Sequence, residues 1–295
     1  MSSSSSQTDR SAMQKLSTIS FKNISFNNIS FSKVMFWIGI AFLYLPMLVL
    51  VVYSFNESRL VTVWAGFSSK WYFELFNDQQ IMTAVWRSIQ IAFYSATAAV
   101  ALAIFASIVM VRIKKFRSRT LFTGSISAPL VMPDVIIGLS MLLLFVAMGQ
   151  QLGWPAERGM LTVWIAHTTF CLAYSTIVIS SRLMEMDRSI EEAALDLGAN
   201  QLEAFVKITL PIIFPAILSA WLLSFTLSLD DVVIASFVTG PGATTLPIEV
   251  FSSVRLGVTP KINALATLII LAVSIVSLIT WFATKRINDR MKLSM

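Results

Sequence analysis

The chain has 295 residues, of which 56% are hydrophobic and 13% are charged, a composition too apolar for a soluble domain of this length. Its single cysteine, Cys171, excludes an internal disulfide bond, and its single histidine, His167, excludes a metal site built from several histidines. The net charge of +6 comes from residues that flank apolar runs, which indicates a membrane protein and excludes a nucleic-acid-binding face.

Residues 1–33 form a Ser- and Asn-rich segment in which the triplet Ile-Ser-Phe recurs every five residues. A period of five fits neither a helix nor a strand, so we expect a flexible tail. The first apolar run, 34–55, is too long for the core of a signal peptide and is predicted to remain as a membrane span. The polar segment 56–87 carries three tryptophans and is predicted to be an external loop anchored at the membrane surface.

Five further apolar runs are long enough to cross a bilayer. They cover residues 88–111, 121–148, 160–181, 212–238 and 261–283. Pro129 and Pro133 predict a kink in the third span. A surface helix is predicted over 247–255, ending at Gly257. The sequence therefore predicts an all-α integral membrane protein, with a six-span domain over 34–295.

Six spans would place both termini on the same side of the membrane. The two tails and the loops after the second and fourth spans hold 16 of the Lys and Arg residues, and the other connections hold 6. Because positive residues concentrate on the cytoplasmic side, this distribution predicts cytoplasmic termini.

The polar stretch 189–211 separates the fourth and fifth apolar runs. Ser189 and Glu192 predict a capping box at the start of a short helix, and Gly198 stands where such a helix would stop. A second short helix is predicted to follow the glycine, so that the stretch forms a compact helical hairpin.

The second helix has its own boundary signals. Asn200 with Glu203 repeats the start signal, and Leu210 with Pro211 is predicted to close the helix. A purely structural interpretation stays open, because any helical hairpin needs caps. In that interpretation Glu192 is only a capping residue, and the two alanines after it are only good helix formers.

The spacing of this stretch resembles the signature loop of bacterial ABC-importer permeases. The matching positions are Glu192, Ala193, Ala194, Gly198, Ile208, Leu210 and Pro211. The resemblance implies a type I ABC-importer permease fold, whose cytoplasmic coupling helices dock into a groove of an ATPase subunit. We call residues 182–211 the coupling loop. Since the chain lacks a GxxxxGK[ST] motif, ATP and Mg are expected on the partner ATPase, and no cofactor or metal is expected on this chain.

Three acidic residues lie inside the apolar spans: Asp134 in the third, and Asp230 and Asp231 in the fifth. A charged residue costs roughly 2.5–3.5 kcal/mol at a helix centre, so these side chains are not expected to face lipid. We interpret them as part of a pathway for a cation, to which aromatic side chains on the fourth and fifth spans would add cation–π contacts. The candidate aromatic residues are Trp164, Phe170, Tyr174, Trp221 and Phe225.

A structural role for the same acids is the alternative. Asp230 or Asp231 would then cap a broken helix or pair with His167, and Asp134 would satisfy backbone groups freed by the kink at Pro133. The aromatic side chains would serve only as packing.

Other segments are similar to the polyamine-uptake branch of these permeases. They are residues 53–56, 128–134, 224–231 and 262–267, and residues 153–160 are closer to the putrescine type. The resemblance implies a bacterial inner-membrane importer that moves putrescine or a related polyamine by alternating access. Its expected partners are a second, related permease chain, two ATP-binding subunits and a periplasmic polyamine-binding protein.

Three rival functions were weighed. An ABC permease for another small cationic or polar solute is the nearest, whereas an anion path would favour Lys or Arg within the spans, and none lies there. A secondary transporter driven by an ion gradient could hold intramembrane acids, but it would normally carry both structural halves in one chain. A membrane enzyme would need a nucleophile and a base, or clustered metal ligands, at membrane depth, and no such set is apparent.

Overall fold

The computed structural model describes residues 25–60, 63–113, 115–257 and 259–293. Within these residues the regular secondary structure is helical, and Asn56 and Phe67 form an isolated antiparallel bridge. The chain divides into two compact units. One unit comprises residues 70–262, and the other combines the two terminal parts, up to Ser69 and from Asn263 onward.

The helices are numbered α1 to α12 in chain order. They are α1 (Ser25–Tyr53), α2 (Lys70–Phe76), α3 (Gln79–Arg112), α4 (Arg119–Val131), α5 (Asp134–Leu152), α6 (Met160–Glu185), α7 (Ser189–Asp196), α8 (Gln201–Ala204), α9 (Leu210–Asp230), α10 (Val233–Val238), α11 (Leu246–Leu256) and α12 (Pro260–Leu293). A π-helical turn, Phe205–Thr209, joins α8 to α9.

The terminal unit contains α1 and most of α12. Helix α1 begins within the predicted tail, and residues 1–24 of that tail lie outside the described residues. After α1 the buried side chain of Asn56 organises the turn: its amide donates to the carbonyl of Val63 at 2.7 Å, and its carbonyl accepts from the backbone of Ser58 and Ala65 at 3.2 and 3.0 Å.

The core of residues 70–262 is built where α3, α6 and α9 pack together. Helix α3 turns small residues toward its neighbours: Ala92, Ala96, Ala99 and Ala103 are all buried. Small side chains let helix backbones approach closely, and hydroxyl groups then bond across the interface. Ser107, for example, donates to the backbone carbonyl of Thr176 at 3.2 Å.

Among the described residues, five helices are long and apolar enough to cross a membrane. They lie on predicted spans one to five, at Phe31–Tyr53, Gln79–Arg112, Asp134–Leu152, Met160–Glu185 and Gln201–Asp230. In α12 the apolar part that lies within the described residues is Pro260–Ile275, so the sixth crossing remains a prediction.

The second predicted span, 88–111, begins too late. Helix α3 starts at Gln79, because the carboxylate of Asp78 caps it by accepting the backbone N–H groups of Gln80 and Ile81 at 3.1 and 3.2 Å. The ammonium group of Lys261 lies 2.8 Å from the same carboxylate. The predicted surface helix is present as α11, which ends before Gly257 as expected.

Candidate coupling loop and intramembrane acids

The first helix of the coupling loop, α7, ends as the sequence predicts. Gly198 has a left-handed backbone with φ of +89°. Its N–H bonds the carbonyl of Leu195 at 2.9 Å, and the N–H of Ala199 bonds the carbonyl of Ala194 at 3.0 Å. These two bonds form a Schellman motif, in which glycine is favoured because it has no Cβ.

The predicted capping box at the start of α7 is wrong. Ser189 and Glu192 do not cap the helix; instead, the carboxylate of Asp187 accepts the backbone N–H of Ser189 at 2.9 Å. The same bond holds the pKa of Asp187 below its ordinary value. Asp187 thus takes the N–H group that the Glu192 carboxylate would accept in a capping box, and the N–H of Glu192 bonds the carbonyl of Arg188 at 3.0 Å. The Glu192 side chain is left exposed.

The second capping box is confirmed. Asn200 accepts the backbone N–H of Glu203 at 2.9 Å, and the Glu203 carboxylate accepts the backbone N–H of Asn200 at 3.2 Å. The predicted helix end at Leu210 and Pro211 is wrong, because Gln201–Asp230 is one apolar helical segment. Proline is tolerated there since it falls in the first turn of α9, directly after the π turn.

Glu191 fastens the coupling loop to the membrane helices, a role that sequence reasoning missed. Its carboxylate lies 2.5 Å from the guanidinium of Arg112 at the end of α3 and accepts the hydroxyl hydrogen bond of Thr209. The side chains of Arg112 and Glu191 are only 20% and 21% exposed. Arg188 adds a hydrogen bond to the carbonyl of Val111 at 3.1 Å. Glu191 and Arg112 are 79 residues apart, so no local pattern could pair them.

The outer surface of the loop is apolar and open. Its exposed members are Ile190, Leu195, Leu197, Leu202 and Val206. Of the residues expected to contact an ATPase, Glu192, Ala193, Gly198 and Pro211 are exposed, and Ala194, Ile208 and Leu210 are partly buried. Exposed apolar side chains grouped with a charged residue are typical of a protein-binding surface.

The third predicted span is interrupted where the prolines predicted a kink. Helix α4 ends at Val131 and α5 begins at Asp134, with Met132 and Pro133 between them. The side chain of Asp134 is exposed in the first turn of α5, where the helix dipole favours a negative charge.

The fifth predicted span, 212–238, is also interrupted. Helix α9 ends at Asp230, and α10 begins at Val233. The carboxylate of Asp231 accepts the backbone N–H groups of Ile234 and Ala235 at 3.3 and 2.7 Å. Asp231 thus caps α10, which is the structural role considered for this pair, whereas the side chain of Asp230 is exposed.

The two interruptions lie close together, since α10 packs against α5. Gly138, one turn into α5, has no room for a Cβ because Phe237 and the backbone of Ile234 face it. Asp134 and Asp231 each lie about one helical turn from this contact. The structure therefore brings together the breaks that carry the predicted acids.

His167 of α6 is almost completely buried, with 1% exposure, and lies beside the second break. Its Nδ1 is 2.7 Å from the hydroxyl of Ser228, near the end of α9. Its Nε2 is 3.2 Å from Oδ2 of Asp231, within ion-pair distance but not aligned as a hydrogen bond. The predicted alternative, a contact between His167 and one of the two aspartates, is present in the structure.

The structure separates the candidate aromatic residues. Phe170 and Tyr174 pack together with ring centroids 5.1 Å apart, in the core that contains Ile234 and Ala235 of α10. Trp221 stacks on Phe225 with ring centroids 5.3 Å apart, and its indole N–H donates to Thr97 at 3.1 Å. Asp230 follows Trp221 by nine residues, which at about 100° per residue puts them on opposite faces of α9. Trp164 lines an apolar pocket of about 280 Å³ beside α3.

The long apolar helices define an integral membrane protein, and comparison with known proteins gives its class. A family model described as "Binding-protein-dependent transport system inner membrane component" matches residues 99–293. The chain belongs to this family of inner-membrane transport components.

Individual relatives narrow the family and confirm the resemblance to polyamine permeases. The chain is 64% identical, over 84% of its length and 89% of the relative's, to the putrescine transport system permease protein PotI of Escherichia coli K12. It is 41% identical, over 84% of its length and 94% of the relative's, to the spermidine/putrescine transport system permease protein PotC of Haemophilus influenzae.

A solved structure supports the fold. A chain of a bacterial ABC transporter involved in the import of alginate matches with a TM-score of 0.68 at 17% identity, covering 87% of this chain and 97% of that one. At 17% identity the match supports the fold and nothing further.

Proposed function

We propose that the chain is the membrane permease of an ATP-driven importer that moves putrescine or a related polyamine from the periplasm to the cytoplasm by alternating access. The observation that supports putrescine or a related polyamine as the cargo is the 64% identity to a putrescine permease over 89% of that relative's length. The exposed apolar surface around Glu192 supports the docking of an ATPase on the coupling loop.

The proposed assembly pairs this chain with a second, related permease in a type I importer fold. Each chain would contribute six spans with cytoplasmic termini, and two ATP-binding subunits would dock on the coupling loops. ATP and Mg would be bound by those subunits, and a periplasmic binding protein would deliver the polyamine. ATP binding would favour the outward-open state and hydrolysis the inward-open state, so the permease acts as a two-state element.

We propose that cargo passes the two helix breaks. The last carbonyl groups of α4 and α9 have no partner further along their own helices, and helix C-termini carry partial negative charge. The exposed carboxylates of Asp134 and Asp230 add full charges beside these ends. Interrupted membrane helices are a common way to build a binding site for ions at membrane depth, and an alkylammonium group suits this one.

Two further groups belong to this proposal. Asp231 lies directly behind Asp230 and contributes negative charge to the same break. Trp221 and Phe225 lie on faces of α9 turned from Asp230, and Trp164 lines a separate pocket beside α3, so any cation–π contact with cargo would come at a different stage of its passage.

A reconstituted complex tests the proposed cargo. The chain is co-purified with its permease partner and ATPase, and ATP hydrolysis is measured with a panel of binding proteins loaded with putrescine, spermidine, an amino acid or a sugar. We expect stimulation by a polyamine-loaded protein and accumulation of polyamine inside proteoliposomes. Stimulation only by a non-polyamine cargo would contradict the proposal, as would uptake driven by an ion gradient without ATP.

The coupling loop is tested with Glu192→Lys in the same complex. Reversing an exposed charge on the docking surface should abolish the stimulation of ATP hydrolysis by loaded binding protein. Glu185→Lys is the matched control, because Glu185 is also exposed, at the end of α6 and outside the motif. Equal activity of both variants would remove Glu192 from the docking surface.

A further inference from the structure

One side chain of α6 contacts both sides of the second helix break. His167 reaches Ser228, in the last turn of α9, through Nδ1, and Asp231, beyond the end of α9, through Nε2. Asp231 in turn caps the first turn of α10 through two backbone N–H groups. The end of α9 and the start of α10 are therefore both tied to α6 by a single imidazole ring.

These contacts separate the roles of the two adjacent aspartates. The side chain of Asp231 is 8% exposed, and its oxygens already face two backbone N–H groups and His167. The side chain of Asp230 is exposed. Because the carboxylate of Asp231 is engaged in capping α10, the carboxylate of Asp230 is the one of the pair that can contact a ligand.

We propose that His167 is a positioning residue for transport: with Ser228 and Asp231 it fixes the break between α9 and α10 and so places the carboxylate of Asp230 where cargo passes. This inference rests on the proposed importer function. The trio is not arranged for nucleophilic chemistry, because Ser228 is only 5% exposed and its hydroxyl is bonded to the buried ring.

The chemistry of the ring explains why histidine suits this place. Neutral imidazole has one donor and one acceptor nitrogen on opposite sides. With the proton on Nε2, the ring faces the carboxylate of Asp231 with a donor while Nδ1 accepts from the Ser228 hydroxyl. An alanine at this position would leave the buried Ser228 hydroxyl without its partner and Asp231 held by its two backbone N–H groups alone, so the break would relax to a different geometry.

Double-variant cycles in the reconstituted complex test the inference, with uptake per ATP hydrolysed as the readout. We expect His167→Ala to lower this ratio at least about tenfold, because it removes both the buried hydrogen bond to Ser228 and the close contact to the carboxylate of Asp231. In an Asp230→Asn background, His167→Ala should change uptake per ATP by less than about twofold, because the carboxylate that His167 positions is already absent. In an Asp231→Asn background it should also add little.

Glu185→Gln provides the control background, because Glu185 is exposed and lies 18 residues along α6 from His167, about 27 Å away, so the full effect of His167→Ala should persist there. His167→Gln should recover most of the uptake, since its amide can still donate to Asp231. A residue that merely supports the fold would lower the amount of protein in the membrane, or multiply in every background, and either result would overturn the inference.

Two milder changes keep the test decisive if His167→Ala does not reach the membrane. Ser228→Ala removes only the Nδ1 contact, and His167→Asn retains that contact while losing the one to Asp231. Both should lower uptake per ATP, and wild-type ratios for both would refute the inference. If the wild-type complex moves a different cargo, the proposed function fails, but the cycles are still read with that cargo.

Discussion

The two adjacent glutamates of the coupling loop allow a sharp test of its architecture. Glu191 is tied to Arg112 and Thr209 inside the chain, whereas Glu192 is exposed. Glu191→Gln keeps the shape of the side chain and removes its charge, and Glu192→Gln makes the same chemical change one residue along. The pair therefore separates attachment of the loop from recognition by a partner.

The magnitude follows from the burial of the pair. A hydrogen bond between charged groups contributes roughly 1.5–3 kcal/mol. Because about a fifth of each side chain remains exposed, solvent screening reduces this, and we expect Glu191→Gln to cost about 1–2 kcal/mol. For a unit of this size that corresponds to a fall of about 3–6 °C in the unfolding midpoint. Glu192→Gln should change the free energy of unfolding by less than about 0.5 kcal/mol.

The assay heats the detergent-purified chain and follows the loss of monodisperse protein by size-exclusion chromatography; a pull-down then measures binding of the ATPase. Glu191→Gln should lower the midpoint, and Glu192→Gln should lower only ATPase binding. Arg112→Ala combined with Glu191→Ala should destabilise less than the sum of the two single changes, since each removes the same contact. Equal midpoints for the two glutamine variants would refute the attachment role of Glu191.

Three further changes probe backbone features. Gly198→Ala should cost about 1–2 kcal/mol because a left-handed backbone is strained for any residue with a Cβ, and it should lower uptake although space for the Cβ is free. Asn200→Ala should cost about 1 kcal/mol by removing a cap, seen as faster amide exchange in α8. Gly240→Ala should sharply reduce membrane abundance because the new Cβ would overlap the carbonyl of Arg158, whereas Gly124→Ala, which meets nothing, should not.

Features set by neighbouring residues could be predicted from the sequence. Gly198 and the Asn200 box were predictable because caps bond within a few residues, and the break before Asp134 because proline lacks an N–H. The predicted capping box at Ser189 was wrong although it also involves only neighbouring residues, because Asp187 accepts the backbone N–H group of Ser189.

Features that depend on distant partners could be predicted only as alternatives or not at all. The break after Asp230 carries no proline or glycine, and the contact of Asp231 with His167, 64 residues earlier in the chain, was one of several possibilities that no local pattern could choose between. The attachment of the coupling loop also depends on a distant partner, because Arg112 lies at the end of α3, far from the loop in the sequence. Apolar runs determine that spans exist, but tertiary contacts determine where a span is interrupted.

The position of the second break matters for how motion could reach the cargo. From Gln201 to Asp230 the chain is one helical segment of 30 residues, about 45 Å long, that begins in the coupling loop and ends at an exposed carboxylate. A helix of this length transmits displacement along its axis, and the widened turn at Phe205–Thr209 is its only non-α portion. The interruption of the helix comes after Asp230, not before it. A shift of the coupling loop would therefore move Asp230 with α9, and the contacts of His167 on α6 would resist or release that shift.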